Sequence, residues 1–506
     1  MDEQRPPALW RGMWKRFLIA GVAIALLSGG ATATVALNTV SGIAAEVFPR
    51  TIRVPKGVVT PVYSGGPQTF LILGSDRRQR ARNAFDRNDP PHSDTMLLVR
   101  FDPAQGQTSV LSIPRDLEVN ITAPGGQYYP NQKINAAYTI GSRLGGVRGA
   151  MVLAAETIEH QVFPTLKLNG IVDVNFAGFI NVVDTLGCVY VNVDHRYYHV
   201  NGTAAENYSE INLQPGYQKL CYQNALSYVR YRHEDSDFVR VARQQDFLRD
   251  LREQISPEDV LGQIDTVAKA VGGAIATTFH DSAGQLIELA KLVAFSQGKP
   301  LRQVKFQALN ANAQLGGGSY VTTTPELAQA TLNDFLHGAQ HPKLPDSAAL
   351  ARATPRGRRG SASFSPAAIG LYPVAAGSRP SGVPFPVLYP TLQAGSAVPQ
   401  GVRSYQVRDR EGHLRHAYVG VWRQNSAGGY YNFEGSDWLN PPLIDHPEQT
   451  RKIDGRTYLL FADGGHLHTI AWHEGGALYW LTNTLLEDLS NQQMLAIARS
   501  ARPLLR

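Results

Sequence analysis

Between Tyr228 and Phe247 the chain reads YVRYRHEDSDFVRVARQQDF, and no other segment restricts the fold as much. In an extended stretch Arg230 and Arg232 point the same way, because strand side chains alternate. From Phe238 the spacing predicts a helix, Phe238 to Ile255. Arg240, Arg243 and Gln244 fall on neighbouring turns of a face that continues through Phe247 and Leu251. The last two are core-directed, so the arginines lie where a buried stripe would otherwise run. A guanidinium is almost never buried without a partner. Two answers are open. Glu234, Asp235 and Asp237 could complete an ion-paired, solvated face. Alternatively the arginines converge on a phosphate or pyrophosphate, whose oxygens the planar fork matches two at a time.

The 506 residues give room for two globular domains plus linkers. A net charge of +6, with no Lys/Arg-rich run and no zinc-ligand spacing, speaks against nucleic-acid binding. It suits anionic lipid or phosphate partners. Phe17 to Val40 carries no charged residue and exceeds the ~20 residues that a bilayer crossing needs. Arg5, Arg11, Lys15 and Arg16 precede it, which leaves residues 1–16 as a cytoplasmic tail and 17–40 as a transmembrane signal anchor. All that follows is then extracytoplasmic, on a single-pass protein of the cell membrane. Cleavage as a signal peptide is the competing reading. Cys188 and Cys221 are the only cysteines, and an exported protein is expected to pair them. Two unconnected buried thiols are the alternative.

A juxtamembrane stretch, 41–67, leads into an α/β pattern over 68–345. Phe70–Gly74, Thr95–Phe101, Thr108–Ile113, Cys188–Val193 and Val304–Leu309 read as strands. Val147–His160, Asn175–Leu186, Gln223–Tyr228, Pro257–Ile275, Ala283–Phe295 and Pro325–His337 read as helices. The expectation is a layered α-β-α sandwich with a mixed central sheet. Residues 346–384 are rich in Pro, Gly and Arg and read as a linker. Residues 385–506 alternate short strands with Gly-type turns and close with a helix after Ser490, predicting a smaller antiparallel-sheet α+β domain. His466, His468 and His473 in that domain read as surface or core residues, since no carboxylate or Cys set stands in register with them.

Three further segments put polar residues at strand ends. Leu73-Gly-Ser-Asp-Arg-Arg78 offers Asp76 and Arg78, His92-Ser-Asp-Thr95 offers Asp94, and Ser112-Ile-Pro-Arg-Asp116 offers Arg115 and Asp116. Open α/β sheets bind ligands at such edges. Two carboxylates beside several guanidiniums suit a Mg²⁺-pyrophosphate site.

Those segments, with Lys133-Ile-Asn-Ala-Ala-Tyr138, Val183-Asp-Thr-Leu-Gly187 and Tyr228-Val-Arg-Tyr-Arg232 through Arg243-Gln244, resemble in this order the LytR-CpsA-Psr family. The likeness runs from about Phe70 to Leu251 and does not reach the tail. It implies an extracytoplasmic phosphotransferase that moves a glycopolymer from a polyprenyl-pyrophosphate carrier to peptidoglycan. It further implies that Asp76 and Asp94 hold Mg²⁺, with Mn²⁺ as the alternative ion. Arg78, Arg115, Arg230, Arg232, Arg240, Arg243 and Gln244 would bind the pyrophosphate. Arg115, Arg240 and Asp237 would be catalytic, Asp237 by orienting arginines or helping to activate the acceptor hydroxyl. Val152, Leu153, Ile158, Phe176, Phe179 and Ile180 would line a passage for the polyprenyl tail or form plain core. Cys188 replaces a glycine usual in the family's turn, and its occurrence together with Cys221 supports the disulfide. A lipid pyrophosphohydrolase and a non-catalytic polyprenyl-phosphate-binding wall adaptor are the rival functions.

Overall fold

The computed structural model describes residues 51–77, 91–200, 210–231, 235–254, 275–279, 288, 292, 301–315, 318–338, 364–366, 382–395, 397–424, 429–463 and 465–504. The anchor at 17–40, most of the linker, nearly all of the helices expected at 257–275 and 283–295, and Arg78 and Arg232 lie outside them. Among the described residues no helix is long and apolar enough to cross a membrane.

Apolar runs bounded by turns build the first sheet. Its strands are β1 (Gln68–Ser75), β2 (Ser93–Asp102) and β3 (Gln107–Ile113), then a hairpin of β4 (Glu118–Thr122) and β5 (Tyr128–Lys133) outside the sheet, then β6 (Gly170–Asn175). β11 (Ile275–Thr277) and β12 (Leu301–Val304) complete it in the order β11-β6-β1-β2-β3-β12. β1 runs parallel to β6 and β3 parallel to β12, while the other pairs are antiparallel, so the sheet is mixed. Leu71, Leu73, Leu98, Leu111 and Ile113 join one buried cluster with α1 (Asn135–Thr157). Ser112 points to the opposite face by strand alternation and there accepts a hydrogen bond from Gln245 of α4 (Asp237–Gln254). Helices therefore cover both faces.

A second core belongs to another set of elements. β7 (Val189–Val193) and β10 (Gly216–Leu220) pair antiparallel, and between them lie the short partners β8 (Tyr197–His199) and β9 (Ile211–Leu213). Val191, Val193, Tyr197, Leu220, Tyr228 and Phe247 bury one another there, where α2 (Phe176–Thr185), α3 (Tyr222–Arg230) and α4 meet.

The tail forms its own sheet. The hairpin β13 (Asn310–Leu315) and β14 (Gly318–Thr322) and helix α5 (Pro325–His337) close the first part. Three short strands follow, β15 (Phe364–Pro366), β16 (Leu388–Pro390) and β17 (Leu392–Ala394). Then come β18 (Val398–Arg408), β19 (Leu414–Arg423), β20 (Tyr430–Ser436), β21 (Gln449–Ile453), β22 (Arg456–Asp463), β23 (His466–Glu474) and β24 (Ala477–Thr482). These seven make one antiparallel sheet, and α6 (Asn491–Arg499) packs on its face. Ser490 caps α6 in a capping box with Gln493, as its sequence position predicts.

Three elements differ from expectation. The helix expected at Gln223–Tyr228 runs on through Val229 and Arg230 rather than giving way to extended chain, with Ala225, Leu226 and Val229 buried along it. Alternation with Arg232 therefore does not orient Arg230. α1 begins at Asn135, well before Val147, and kinks at Gly145 and Gly146. Gly141 and Gly149 meet so closely that a Cβ on either would lie within 2.3 Å of the other's carbonyl oxygen. The glycines that hid the helix are what let its two halves touch. Finally, the strand expected at Val304–Leu309 ends at Val304. Phe306 turns into the core beside Phe163, and Gln307 N–H bonds Thr331 Oγ1 at 3.0 Å instead of a ladder partner.

Cys188 and Cys221 are disulfide-bonded, with Cα atoms 4.9 Å apart, at the end of the ladder where Val189 pairs with Leu220. The bridge closes a 33-residue separation, which in the chain-entropy model is worth about 3–4 kcal/mol. Replacing both cysteines by alanine should remove about that much from the unfolding free energy in a urea titration. A loss near zero would show that the bridge adds nothing to the β7–β10 ladder.

Candidate active site

The two cores supply charges of both signs to one place. Gly74 faces Thr95 and Ser75 faces Ser93, with a bulge between, so Asp76 and Asp94 stand on neighbouring strands at one edge of the large sheet. Gly74 is required, since a Cβ there would lie 2.9 Å from the Thr95 Cβ. Asp76 accepts the His92 N–H at 2.6 Å. β3 ends at the same edge and delivers Arg115 and Asp116, while β5 ends with Lys133. The second unit contributes Arg230 at the end of α3 and Asp237 and Arg240 from the first turns of α4.

Arg115 is the junction. Its Nη1 donates to Asp94 Oδ1 at 2.5 Å, and its Nε lies 3.7 Å from Asp116 and 3.9 Å from Asp237. Lys133 Nζ sits 2.9 Å from Asp116, and Arg240 donates to Asp237 Oδ1. The guanidinium of Arg230 lies 3.9 Å from the centroid of the Phe176 ring. Four cations (Lys133, Arg115, Arg230, Arg240) stand with four carboxylates (Asp76, Asp94, Asp116, Asp237), so the described cluster is charge-balanced.

Burial and charge compete at each group. Burial acts to raise the Asp94 pKa, but Arg115, Arg240 and Arg230 outweigh it and hold this carboxyl below the ordinary range. At Asp237 burial wins over Arg240 and Arg115 and raises the pKa. Its Oδ2 is buried and carries no hydrogen bond. Burial also lowers Arg240, against the pull of Asp237, whereas at Arg115 the three carboxylates overcome burial and raise it.

Two expected ligand residues are placed elsewhere. Arg243 is fully buried and its donors are met inside the protein, so the reading of it as a pyrophosphate contact is corrected. It is ion-paired to Asp235, donates to Tyr231 O at 2.8 Å and lies 4.6 Å from the Tyr197 ring centroid. Gln244 likewise spends its amide on Val229 O at 3.0 Å. Both tie α4 to the end of α3. Four of the six apolar side chains expected to line a lipid passage or form plain core join apolar clusters. Val152, Leu153 and Ile158 are core beneath the large sheet, while Phe179 packs against the second core. His466, His468 and His473 join no potential metal-ligand group among the described residues.

Other residues were not singled out by sequence. Asp173 on β6 is fully buried, 3.1 Å from Arg77 Nη2, and accepts from Tyr138 Oη at 2.9 Å. Burial raises its pKa against Arg77. A carboxylate inside the apolar strand Gly170–Asn175 was the available signal. Lys133 lay within a quoted motif without an assigned part.

Removing one partner of a fully buried ion pair strands the other. Arg243→Ala should therefore cost about 3–5 kcal/mol in chemical denaturation. Arg115→Ala, whose side chain is partly exposed, should cost less. Equal losses would contradict the division into a structural and a solvent-facing arginine.

A family model described as the LytR_cpsA_psr family matches residues 45–335. An uncharacterised protein of Staphylococcus aureus is 30% identical over 206 residues, covering 41% of this chain and 47% of that one. The polyisoprenyl-teichoic acid–peptidoglycan teichoic acid transferase TagT of Bacillus subtilis is 30% identical over 257 residues, covering 50% of this chain and 73% of TagT. The chain thus spans about half the length of the first relative and more of the second. Among solved structures, the protein gbs0355 of Streptococcus agalactiae has a TM-score of 0.45 at 22% identity, over 54% of this chain and 87% of that one. With the matched residues making up more than half of its length, this chain belongs to the LytR_cpsA_psr family.

Proposed function

We propose that the protein is an extracytoplasmic phosphotransferase, held in the cell membrane by residues 17–40, that attaches a glycopolymer from a polyprenyl-pyrophosphate carrier to peptidoglycan. The observation that carries the reading is the Arg115 junction, where carboxylates of the large sheet meet arginines of α3 and α4. Guanidiniums gathered beside a carboxylate pair are a pattern that a pyrophosphate and a divalent ion complete together, the ion on the carboxylates and the phosphates on the arginines. The name of TagT, a relative by sequence, states a transfer of that class.

Asp76 and Asp94 offer an oxygen-only donor pair on adjacent strands, which fits Mg²⁺ or Mn²⁺. Held there, the ion would neutralise charge on the phosphate oxygens. Arg115, Arg230 and Arg240 bind the pyrophosphate, with Arg78 and Arg232 as further members of the set. An acceptor sugar hydroxyl forms a bond to the sugar-side phosphorus, the bond to the bridging oxygen breaks, and polyprenyl phosphate leaves with that oxygen. Asp237 Oδ2, uncommitted and made more basic by burial, takes the hydroxyl proton. Its Oδ1 meanwhile holds Arg240 and Arg115 in line. Charge neutralisation of the leaving group is the larger task, so the arginines dominate the rate.

In a purified assay with lipid-linked polymer, peptidoglycan and Mg²⁺, Arg115→Ala should lower transfer by roughly 10²–10³-fold. Chelating the metal should abolish transfer and leave the fold intact. Parental transfer by Arg115→Ala would sink the assignment. Release of polymer phosphate regardless of peptidoglycan would replace transfer by hydrolysis, and binding without turnover would favour an adaptor.

A further inference from the structure

The family match ends at residue 335, yet the C-terminal sheet is built into the part before it. One face of that sheet takes α6. The other face grips the catalytic part at one place, and the loop between β24 and α6 reaches it at a second. On the second unit, Tyr190 of β7 and Tyr217 of β10 stack with centroids 5.8 Å apart and are buried with Val407, Trp438, Leu478 and Trp480. Tyr217 N–H donates to Tyr405 Oη at 2.8 Å, and the Tyr405 hydroxyl donates to Glu434 Oε2 at 2.6 Å. Leu443 N–H returns to Tyr217 Oη at 3.1 Å, and Asn432 Nδ2 donates to Val193 O at 3.1 Å. Gly216, at φ +117°, lets the Tyr405 ring lie directly on the strand, since a Cβ there would come within 2.7 Å of it. On the large sheet, Lys305 just beyond β12 donates to Glu487 Oε2 at 3.0 Å and Leu486 O at 3.1 Å.

These two grips belong to different halves of the site. β12 pairs with β3, whose end carries Arg115. β7 is fixed to the far end of α4 by Gln254, which accepts Tyr190 N–H at 2.8 Å and donates to Tyr190 O at 2.7 Å. The near end of the same rigid helix carries Asp237 and Arg240.

We propose that the C-terminal domain is an intramolecular clamp that sets the spacing between the carboxylate sheet and the arginine helix, with Tyr217, Glu434 and Lys305 as positioning residues. The expected effect on ligand binding rests on the pyrophosphate reading of the site; the mechanical claim does not. Glu434 is fully buried, and burial pushes it up to about 7 despite hydrogen bonds from Tyr405 Oη and Tyr217 N–H. A neutral side chain suits this position, and a lysine would place an unpaired cation there.

Hydrogen exchange on the full chain tests the clamp. In Glu434→Lys the amides of 217–220 and of 237–245 should both lose at least tenfold protection, while those of β1 and β2 keep theirs. Glu434→Gln, neutral and of the same shape, should retain parental protection at both. Should Glu434→Lys fail to fold, Lys305→Glu on the exposed rim repels Glu487 and should give a smaller loss at the same amides. Unchanged exchange at 217–220, or an opened interface with 237–245 still protected, overturns the proposal. Calorimetry with a polyprenyl pyrophosphate and Mg²⁺ should show at least tenfold weaker binding by Glu434→Lys than by the parent. Equal affinity also overturns the clamp. A parent that binds no polyprenyl pyrophosphate overturns the functional reading instead, and the exchange result alone then decides the clamp.

Discussion

The contact on which the rest depends is Arg115 with Asp94 on one side and Asp237 on the other. Asp94 belongs to a sheet with its own apolar core, Asp237 to a helix that packs in another. Hydrophobic burial stabilises each unit but is indifferent to their exact separation, because it has no direction. A guanidinium reaching across does have direction, and its partners must sit where its fork points. The chain of Lys133, Asp116, Arg115, Asp237 and Arg240 therefore turns two packed units into one polar surface. Asp94 balances the third cation of that chain, so the surface presents guanidiniums and carboxylates side by side.

Two kinds of arginine share α4, and since both are buried it is their partners that separate them. Arg243 has its charge answered by Asp235 and its remaining donors by backbone carbonyls and a tyrosine. Nothing is left for a ligand, and its loss would strand a buried carboxylate. Arg240 sits one turn nearer the sheet, paired to a carboxylate that also faces Arg115. The disulfide and Gln254 act on the same assembly from the other side, joining α3 and α4 to the β7–β10 ladder. Arginines one helical turn apart thus have different tasks because one faces the inner core and the other faces the seam.

Much of this was legible in advance, for identifiable reasons. Strands β1, β2 and β3, helices α2, α4 and α5 and the capped α6 follow from apolar period and end signals within each segment. The two carboxylates were found because they close and open consecutive strands. α1 was half missed, since glycines that permit close packing also weaken the helical signal. Arg230 was placed in extended chain because its helix is short and lies between motifs. Asp173 and its partners Arg77 and Tyr138 are distant in sequence, so only β1–β6 pairing brings them together.

The sequence by itself determined which residues carry charge into buried ground and which strand ends they occupy, because those are properties of local pattern. It also determined that the tail would form a separate antiparallel sheet. The tertiary structure decided which arginine of α4 shares its carboxylate with Arg115, since that depends on which core swallows the rest of its helix. It also decided that the tail lies against both halves of the site through Tyr217, Glu434 and Lys305. Contacts between segments hundreds of residues apart leave no periodic trace in either segment, and only the folded chain can make them.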